Sequence, residues 1–290
     1  MYKSCYLAIL LACLVLKSNA QQYQVEFFGG ISNYQGDLQP HIFTFKQSRA
    51  AGGLFLKYQL SGHFTARVGL SAGSLYADDK FNRTYLQSRN LNFRSKRVEA
   101  QIGLECYLIN IVEHKFSPYI CFGIAGFHYN SYTYDQQNRK VYLNPLSTEG
   151  EGFPEYPGRK KYKLTQLAIP FGEGVLYRVN CNLNLSFEFT QRKLFTDYLD
   201  DVSTTFIDKD VLFKEKGQQA VDIAYRGDEV PGGTPYPPEG YGRGNAKQND
   251  WYYMVALKVS LGLFNCNTGK FILADIFGGR SRGVGCPKQF

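Results

Sequence analysis

Beyond residue 20, no stretch of this 290-residue chain is apolar for long enough to cross a membrane as a helix, which takes roughly 20 such residues. Histidine is scarce. His41, His63, His114 and His128 are the only four, and none stands in HExxH or another metal-ligand spacing, so a recognisable metal-dependent hydrolase is excluded. The basic residues form no cluster. The formal charge of +8, which falls to +6 once Lys3 and Lys17 are removed, is spread along the chain and argues against nucleic acid as a partner. Mean hydropathy is below zero despite abundant Tyr and Phe, a composition in which β-barrel membrane proteins are easily concealed.

The first residues carry an export signal. Lys3 precedes an apolar run from Cys5 to Leu16, and Ser18-Asn19-Ala20 puts small residues where a signal peptidase reads, so residues 1–20 are expected to be a cleaved signal peptide. A membrane anchor would need a longer run. Lipoprotein processing at Cys13 fits Leu10-Leu11-Ala12-Cys13 loosely, but the apolar run continues through Leu14, Val15 and Leu16. After cleavage Cys106, Cys121, Cys181, Cys266 and Cys286 remain in an oxidising compartment, an odd number that leaves at least one without an intramolecular partner.

What the chain has in quantity is alternation. Phe64, Ala66, Val68, Leu70 and Ala72 share one face against Thr65, Arg67, Gly69 and Ser71, and Val98 to Cys106 alternate with Arg97, Glu99, Gln101, Gly103 and Glu105. The period of two returns at Asn182 to Arg192, around Glu188, and at Trp251 to Leu263, around Lys258. Weaker candidates at Tyr23–Ser32, Gly52–Gln59, Pro118–Tyr129 and Leu164–Val179 bring the strands to eight. Connections alternate between long (33–51, 77–93, 131–163, 193–249) and short (60–62, 110–117, 180–181). That asymmetry is the mark of outer-membrane barrels, whose periplasmic turns are short and whose external loops are long.

The sequence therefore predicts an all-β fold, an eight-stranded antiparallel transmembrane β-barrel with long extracellular loops. It would occupy residues 21–264, sit in outer-membrane lipid, and be followed by a periplasmic C-terminal tail at 265–290. The competing architecture is a soluble lipocalin-like barrel or sandwich. Charge position favours the membrane. Arg67, Arg97, Glu99, Glu105, Glu188 and Lys258 lie opposite the apolar stripes, and inside a narrow barrel they would pair into a lumen polar network that plugs it. Tyr58, Tyr76, Tyr107, Tyr129, Trp251 and Tyr252, near strand ends, are expected in the interfacial aromatic girdles.

Chemistry-bearing residues are few. His128 with Ser131 could form a base and nucleophile in a lipid-modifying barrel hydrolase, with no visible third member. The carboxylates after strand seven, Asp197, Asp200, Asp201, Asp208 and Asp210, could hold calcium, but their spacing does not fit an EF-hand and reads as a solvated acidic loop. Residues 227–245, rich in Gly and Pro, read as a mobile external loop, and 193–249 as the surface an adhesin-like barrel would use. Cys266 and Cys286 could close the tail with a disulfide or remain free thiols.

Four segments carry a family resemblance: RKLFTDYLDDVSTTF at Arg192 to Phe206, Ile169-Pro170-Phe171-Gly172, Val284-Gly285-Cys286-Pro287-Lys288, and Gly29 to Leu38. Together they resemble the PorG-like outer-membrane proteins of Bacteroidota, over nearly the whole mature chain, most specifically in the loop with Thr196, Asp197, Tyr198, Asp200 and Asp201. The resemblance implies a component of the type IX secretion system, a barrel anchoring a periplasmic ring lipoprotein and its partner. It implies no enzyme activity, cofactor or small-molecule substrate. It would put the working surface on the turns around Ser61, Asn110 to Lys115 and Asn180 to Asn182, and on the tail.

Overall fold

A computed structural model describes residues 23–42 and 44–263; the expected signal peptide, and the tail with Cys266 and Cys286, lie outside the described residues. The strands are β1 (Tyr23–Gln35), β2 (Arg49–Gln59), β3 (Phe64–Asp78), β4 (Asn92–Tyr107), β5 (Phe116–Tyr134), the short β6 (Lys140–Tyr142), β7 (Thr165–Arg178), β8 (Leu183–Leu194) and β9 (Trp251–Gly262). Each pairs antiparallel with its neighbour, β1 pairs β9, and β4 pairs β5, so eight strands close into a barrel with β6 appended to the outer end of β5. Closure leaves no edge, the condition for strands in lipid, where an unpaired backbone group costs several kcal/mol. The β5–β7 ladder lapses between Phe122–Phe171 and Ala125–Ala168, where Pro170 has no N–H to offer.

The alternation turns the wall inside out relative to a soluble barrel. Phe27, Leu54, Leu70, Ile102, Ile124, Leu167, Phe187 and Leu257, one from each barrel strand, are exposed, Ile102 and Leu257 by 65 % and 69 %. The residues between them, Glu26, Lys57, Arg67, Glu99, Glu188 and Lys258 among them, are buried. Apolar atoms facing outward around a closed wall, with charge sealed inside, require a hydrocarbon surround, so the fold is a membrane-spanning barrel of the outer-membrane type.

The girdle expectation fails for four of its six residues. Tyr107, Tyr129 and Tyr252 are buried and share parity with the inward residues of their strands, such as Glu105, Ser131 and Lys258, and Tyr76 is buried on the outer face beneath the guanidinium groups of Arg49 and Arg94, 4.3 and 5.6 Å from its ring centre. Only Tyr58 and Trp251 remain partly exposed near strand ends.

The long connections fold together into a cap. Leu38, Leu143, Phe153, Leu199, Ile207 and Ile223 from three of them join Phe93, Phe127, Tyr129 and Tyr252 of the wall in one buried cluster, a soluble-type core seated in the barrel mouth. It contains helices that the alternation did not foreshadow: α1 (Thr84–Gln87), α2 (Lys209–Lys216) and α3 (Gln218–Ala224). Asp208 caps α2 by accepting from the N–H groups of Asp210 and Val211, a structural role for a carboxylate considered above for calcium. Residues 227–245 are tied in rather than free: Gly240 N–H donates to Phe206 O at 3.0 Å and Arg243 N–H to Thr204 O at 2.9 Å.

Leu257, near the middle of β9, gives a direct test of polarity. Leu257→Arg should lower unfolding stability in lipid vesicles by about 2–4 kcal/mol, read by urea titration. An unchanged stability would contradict the outward-facing assignment.

Candidate functional site

The lumen is built from six charges on six strands. Glu26 (β1) accepts from Lys57 (β2) at 3.1 Å, Lys57 lies 2.6 Å from Glu105 (β4), Glu105 3.0 Å from Arg67 (β3), Arg67 2.7 Å from Glu188 (β8), Glu188 2.7 Å from Lys258 (β9), and Lys258 returns to Glu26 at 3.0 Å. Charges alternate around this closed ring and cancel. Register explains part of it. Lys57 and Arg67 are direct cross-strand partners, a like-charge pair that is unfavourable alone, and the two oxygens of Glu105 divide between them. Tyr119 donates to Glu188 at 2.9 Å, its ring lying where a Cβ on Gly174 would come within 2.5 Å of it, so only glycine leaves room there.

Nearer the cap a second cluster surrounds Glu99, with Arg192 at 3.3 Å, Arg97 at 3.6 Å and the Tyr252 hydroxyl, while both guanidinium groups face the Tyr252 ring at 5.6 and 4.5 Å. Among the residues singled out in the sequence, Arg67, Glu105, Glu188 and Lys258 thus fall in the ring, and Arg97 and Glu99 in the second cluster. Glu26, Lys57, Arg192 and Tyr119, which were not singled out, complete the network together with Tyr252, which was expected in a girdle. Parity along β1, β2 and β8 would have found the charged ones.

The loop that carries the resemblance, Thr196 to Ser203, forms the centre of the cap. It is not a solvated acidic loop. Asp200 and Asp201 are fully buried and Asp197 nearly so. Asp200 accepts from the Tyr34 hydroxyl at 2.6 Å, Asp201 from Thr148 and Tyr162 at 2.6 Å each, and Tyr198 stacks on Tyr162 at 4.8 Å. Thr196 accepts the Asp250 N–H through its backbone oxygen. Arg243 donates to Glu149 at 2.9 Å, and Glu149 also accepts the backbone N–H groups of Ser203 and Thr204 at 2.9 and 2.8 Å, joining the two longest connections. Among the described residues no group of three metal-ligating side chains converges.

Burial drives the cap carboxyls upward. Asp197 is pushed up to about 9, with Asp200 adding to the effect, Glu151 to about 8, with Asp201 and Glu149 adding, and Asp201 to about 6.

His128 and Ser131 are not brought together. His128 is on the outer face, its Nδ1 3.0 Å from Thr165 Oγ1, whereas Ser131 is buried inside and donates to Leu199 O. Cys106 and Cys121 are free thiols, and Cys181, in the β7–β8 turn, is disulfide-bonded.

At the opposite end the short turns are knitted into one surface. Ile111 N–H donates to Gly62 O at 2.9 Å, Arg178 reaches Val112 O at 2.9 Å, and Gly262 N–H donates to Asn182 O at 2.7 Å. A Cβ at Gly62 would sit 2.0 Å from Asn110 Oδ1, so this contact between turns depends on glycine. Leu60, Leu108, Ile109, Val112 and Val179 are exposed there, past the strand ends.

These features define an outer-membrane β-barrel with a charge-filled lumen, an ordered external cap and a fixed periplasmic rim. Residues 3–148 match the family described as "Domain of unknown function (DUF6089)", and the chain belongs to that family. No curated protein matches it. Among solved structures it is similar to Neisserial surface protein A (8 % identity, TM-score 0.41, covering 83 % of this chain and 96 % of that one). It is also similar to Ail, the attachment invasion locus protein of Yersinia pestis (7 %, 0.40, 83 % and 97 %), and to a major outer membrane protein from Thermus thermophilus (11 %, 0.38, 82 % and 98 %). The membrane assignment rests on the polarity of the wall.

Two outcomes follow. Glu188→Gln strands Arg67 and Lys258 in a buried site and should cost about 3–5 kcal/mol of unfolding stability, measured by denaturant titration; a loss under about 1 kcal/mol would mean the ring is not closed. The cap should respond to pH in the sense set by raised carboxyls. Their contribution is complete below the ordinary carboxylate range and is lost as pH climbs through about 6 to 9, so amide-exchange protection of residues 197–203 should fall with rising pH after correction for intrinsic exchange. Protection that rose with pH would refute this.

Proposed function

We propose that this protein is a non-enzymatic outer-membrane anchor for a periplasmic complex of the type IX protein secretion system, and that a ring lipoprotein of that machine is its partner. The observation that carries the reading is the periplasmic rim. Three short turns cross-bonded into a single surface, presenting five exposed aliphatic side chains, form a preformed apolar platform of the kind that marks protein–protein contact. The charge ring runs from one side of the lumen to the other, so the wall favours a static support over a conduit. The separation of His128 from Ser131 removes the support the sequence lent to lipid hydrolysis. The partner's identity rests on the family resemblance.

The test is affinity purification of the tagged protein from crosslinked, detergent-solubilised outer membranes with mass spectrometry of what accompanies it. Recovery of ring lipoproteins crosslinked to residues 108–115 is expected, reduced about tenfold or more by Leu108→Asp with Val112→Asp, while heat-modifiable migration shows the double variant still folded. Recovery of the barrel alone would overturn the anchoring role.

A further inference from the structure

A cavity of about 480 Å³ opens at the external rim, where the connections after β1, between β3 and β4, and before β9 meet. That volume lies within the roughly 300–1,000 Å³ typical of small-molecule sites. Its floor is fixed: Asn82 Nδ2 donates to Asp37 O at 2.9 Å, Asn245 N–H to Asp37 Oδ2 at 3.0 Å, and the buried Arg89 reaches Asp37 O at 3.1 Å. Its walls combine two chemistries. Trp251 and the exposed Tyr85 supply aromatic surface, and Asp37, Arg83, Asn245 and Gln248 supply planar polar groups. The Gln248 amide and the Trp251 indole N–H make no hydrogen bond to other described residues, and Arg83 makes only a long contact, 3.3 Å, to the Tyr85 hydroxyl.

From this combination we infer that the rim cavity is a saccharide-binding site, taking a neutral or weakly charged oligosaccharide. Each planar amide, carboxylate or guanidinium can bond two adjacent hydroxyls, and the aromatic surface accepts the apolar C–H face of a pyranose ring. The alternatives fit less well. Asp37 and Arg83 cancel, so the charge density that holds phosphate or sulfate groups is missing, and the ring of amides would leave a wholly apolar ligand facing unpaired donors. Trp251 and Gln35 point outward from the β1–β9 ladder at the level where the wall leaves the membrane, so the saccharide could come from an outer-leaflet glycolipid or from free glycan. The site stands at the opposite end from the periplasmic rim and is independent of the anchoring role.

Trp251 is the chain's single tryptophan, which makes the cavity its own reporter. The full barrel, purified in a sugar-free amine-oxide detergent, would be titrated with maltoheptaose, with delipidated core oligosaccharide from lipopolysaccharide of the source cells, and with inorganic phosphate. A parallel arm would present intact lipopolysaccharide in nanodiscs. A saturable change in Trp251 emission with a soluble saccharide assigns free glycan, and a change confined to the nanodisc arm assigns the glycolipid headgroup. Either should weaken about tenfold or more in Gln248→Ala and Tyr85→Ala, exposed positions whose variants should melt like the parent. No saturable change with any saccharide, a change equal in the variants, or one reproduced by phosphate alone would overturn the assignment.

Discussion

Lipid offers the backbone nothing to bond with, and every other feature of this wall follows from that constraint. It requires eight strands to close without an edge, closure fixes one face of each strand against hydrocarbon, and the remaining face is enclosed in a space too narrow for bulk water. A charge in that space must find its counter-charge among the other strands. The ring from Glu26 to Lys258 is the outcome: three carboxylates and three cations whose pairs join neighbouring strands, reach across β3 between Lys57 and Glu105, and span opposite sides of the lumen between Arg67 and Glu188.

The two ends of the barrel solve different problems. The external end carries most of the connecting chain and uses it to build a second core, in which aliphatic side chains and buried carboxyls pack over the mouth. The cap is therefore an extension of the folded domain. The periplasmic end has only short turns, and these are stiffened by bonds from one turn to the next and by side-chain amides such as Asn180, which accepts from the N–H groups of Asn182 and Leu183 at 2.9 Å.

The barrel was legible in the sequence because a wall between lipid and a polar lumen imposes a period of two on every strand, and because long and short connections alternate. Arg67, Glu105, Glu188 and Lys258 were identified by the same parity. Tyr107, Tyr129 and Tyr252 were misread because a tyrosine near a strand end suits the headgroup region as well as a lumen, and only its register relative to Glu105, Ser131 or Lys258 separates the two. The cap was largely illegible. Burial of Asp200 and Asp201 depends on Tyr34, Thr148 and Tyr162, which lie far away along the chain, and no local periodicity reports such partners. The start of α2 was readable in principle from Asp208 placed just ahead of Val211-Leu212-Phe213.

The seam between β1 and β9 divides the charge ring. Glu26 stands on the first strand of the wall and Lys258 on the last, so a sheet assembled hairpin by hairpin gives each a single counter-charge, Lys57 and Glu188, and leaves its second partner across the open seam. Each keeps that one partner in the open sheet, and the ring becomes continuous only when the two edges meet. The ion pair that spans the seam thus acts as a latch: closure completes a charge ring that the open sheet leaves broken, so the residues that fill the lumen also favour the closed wall.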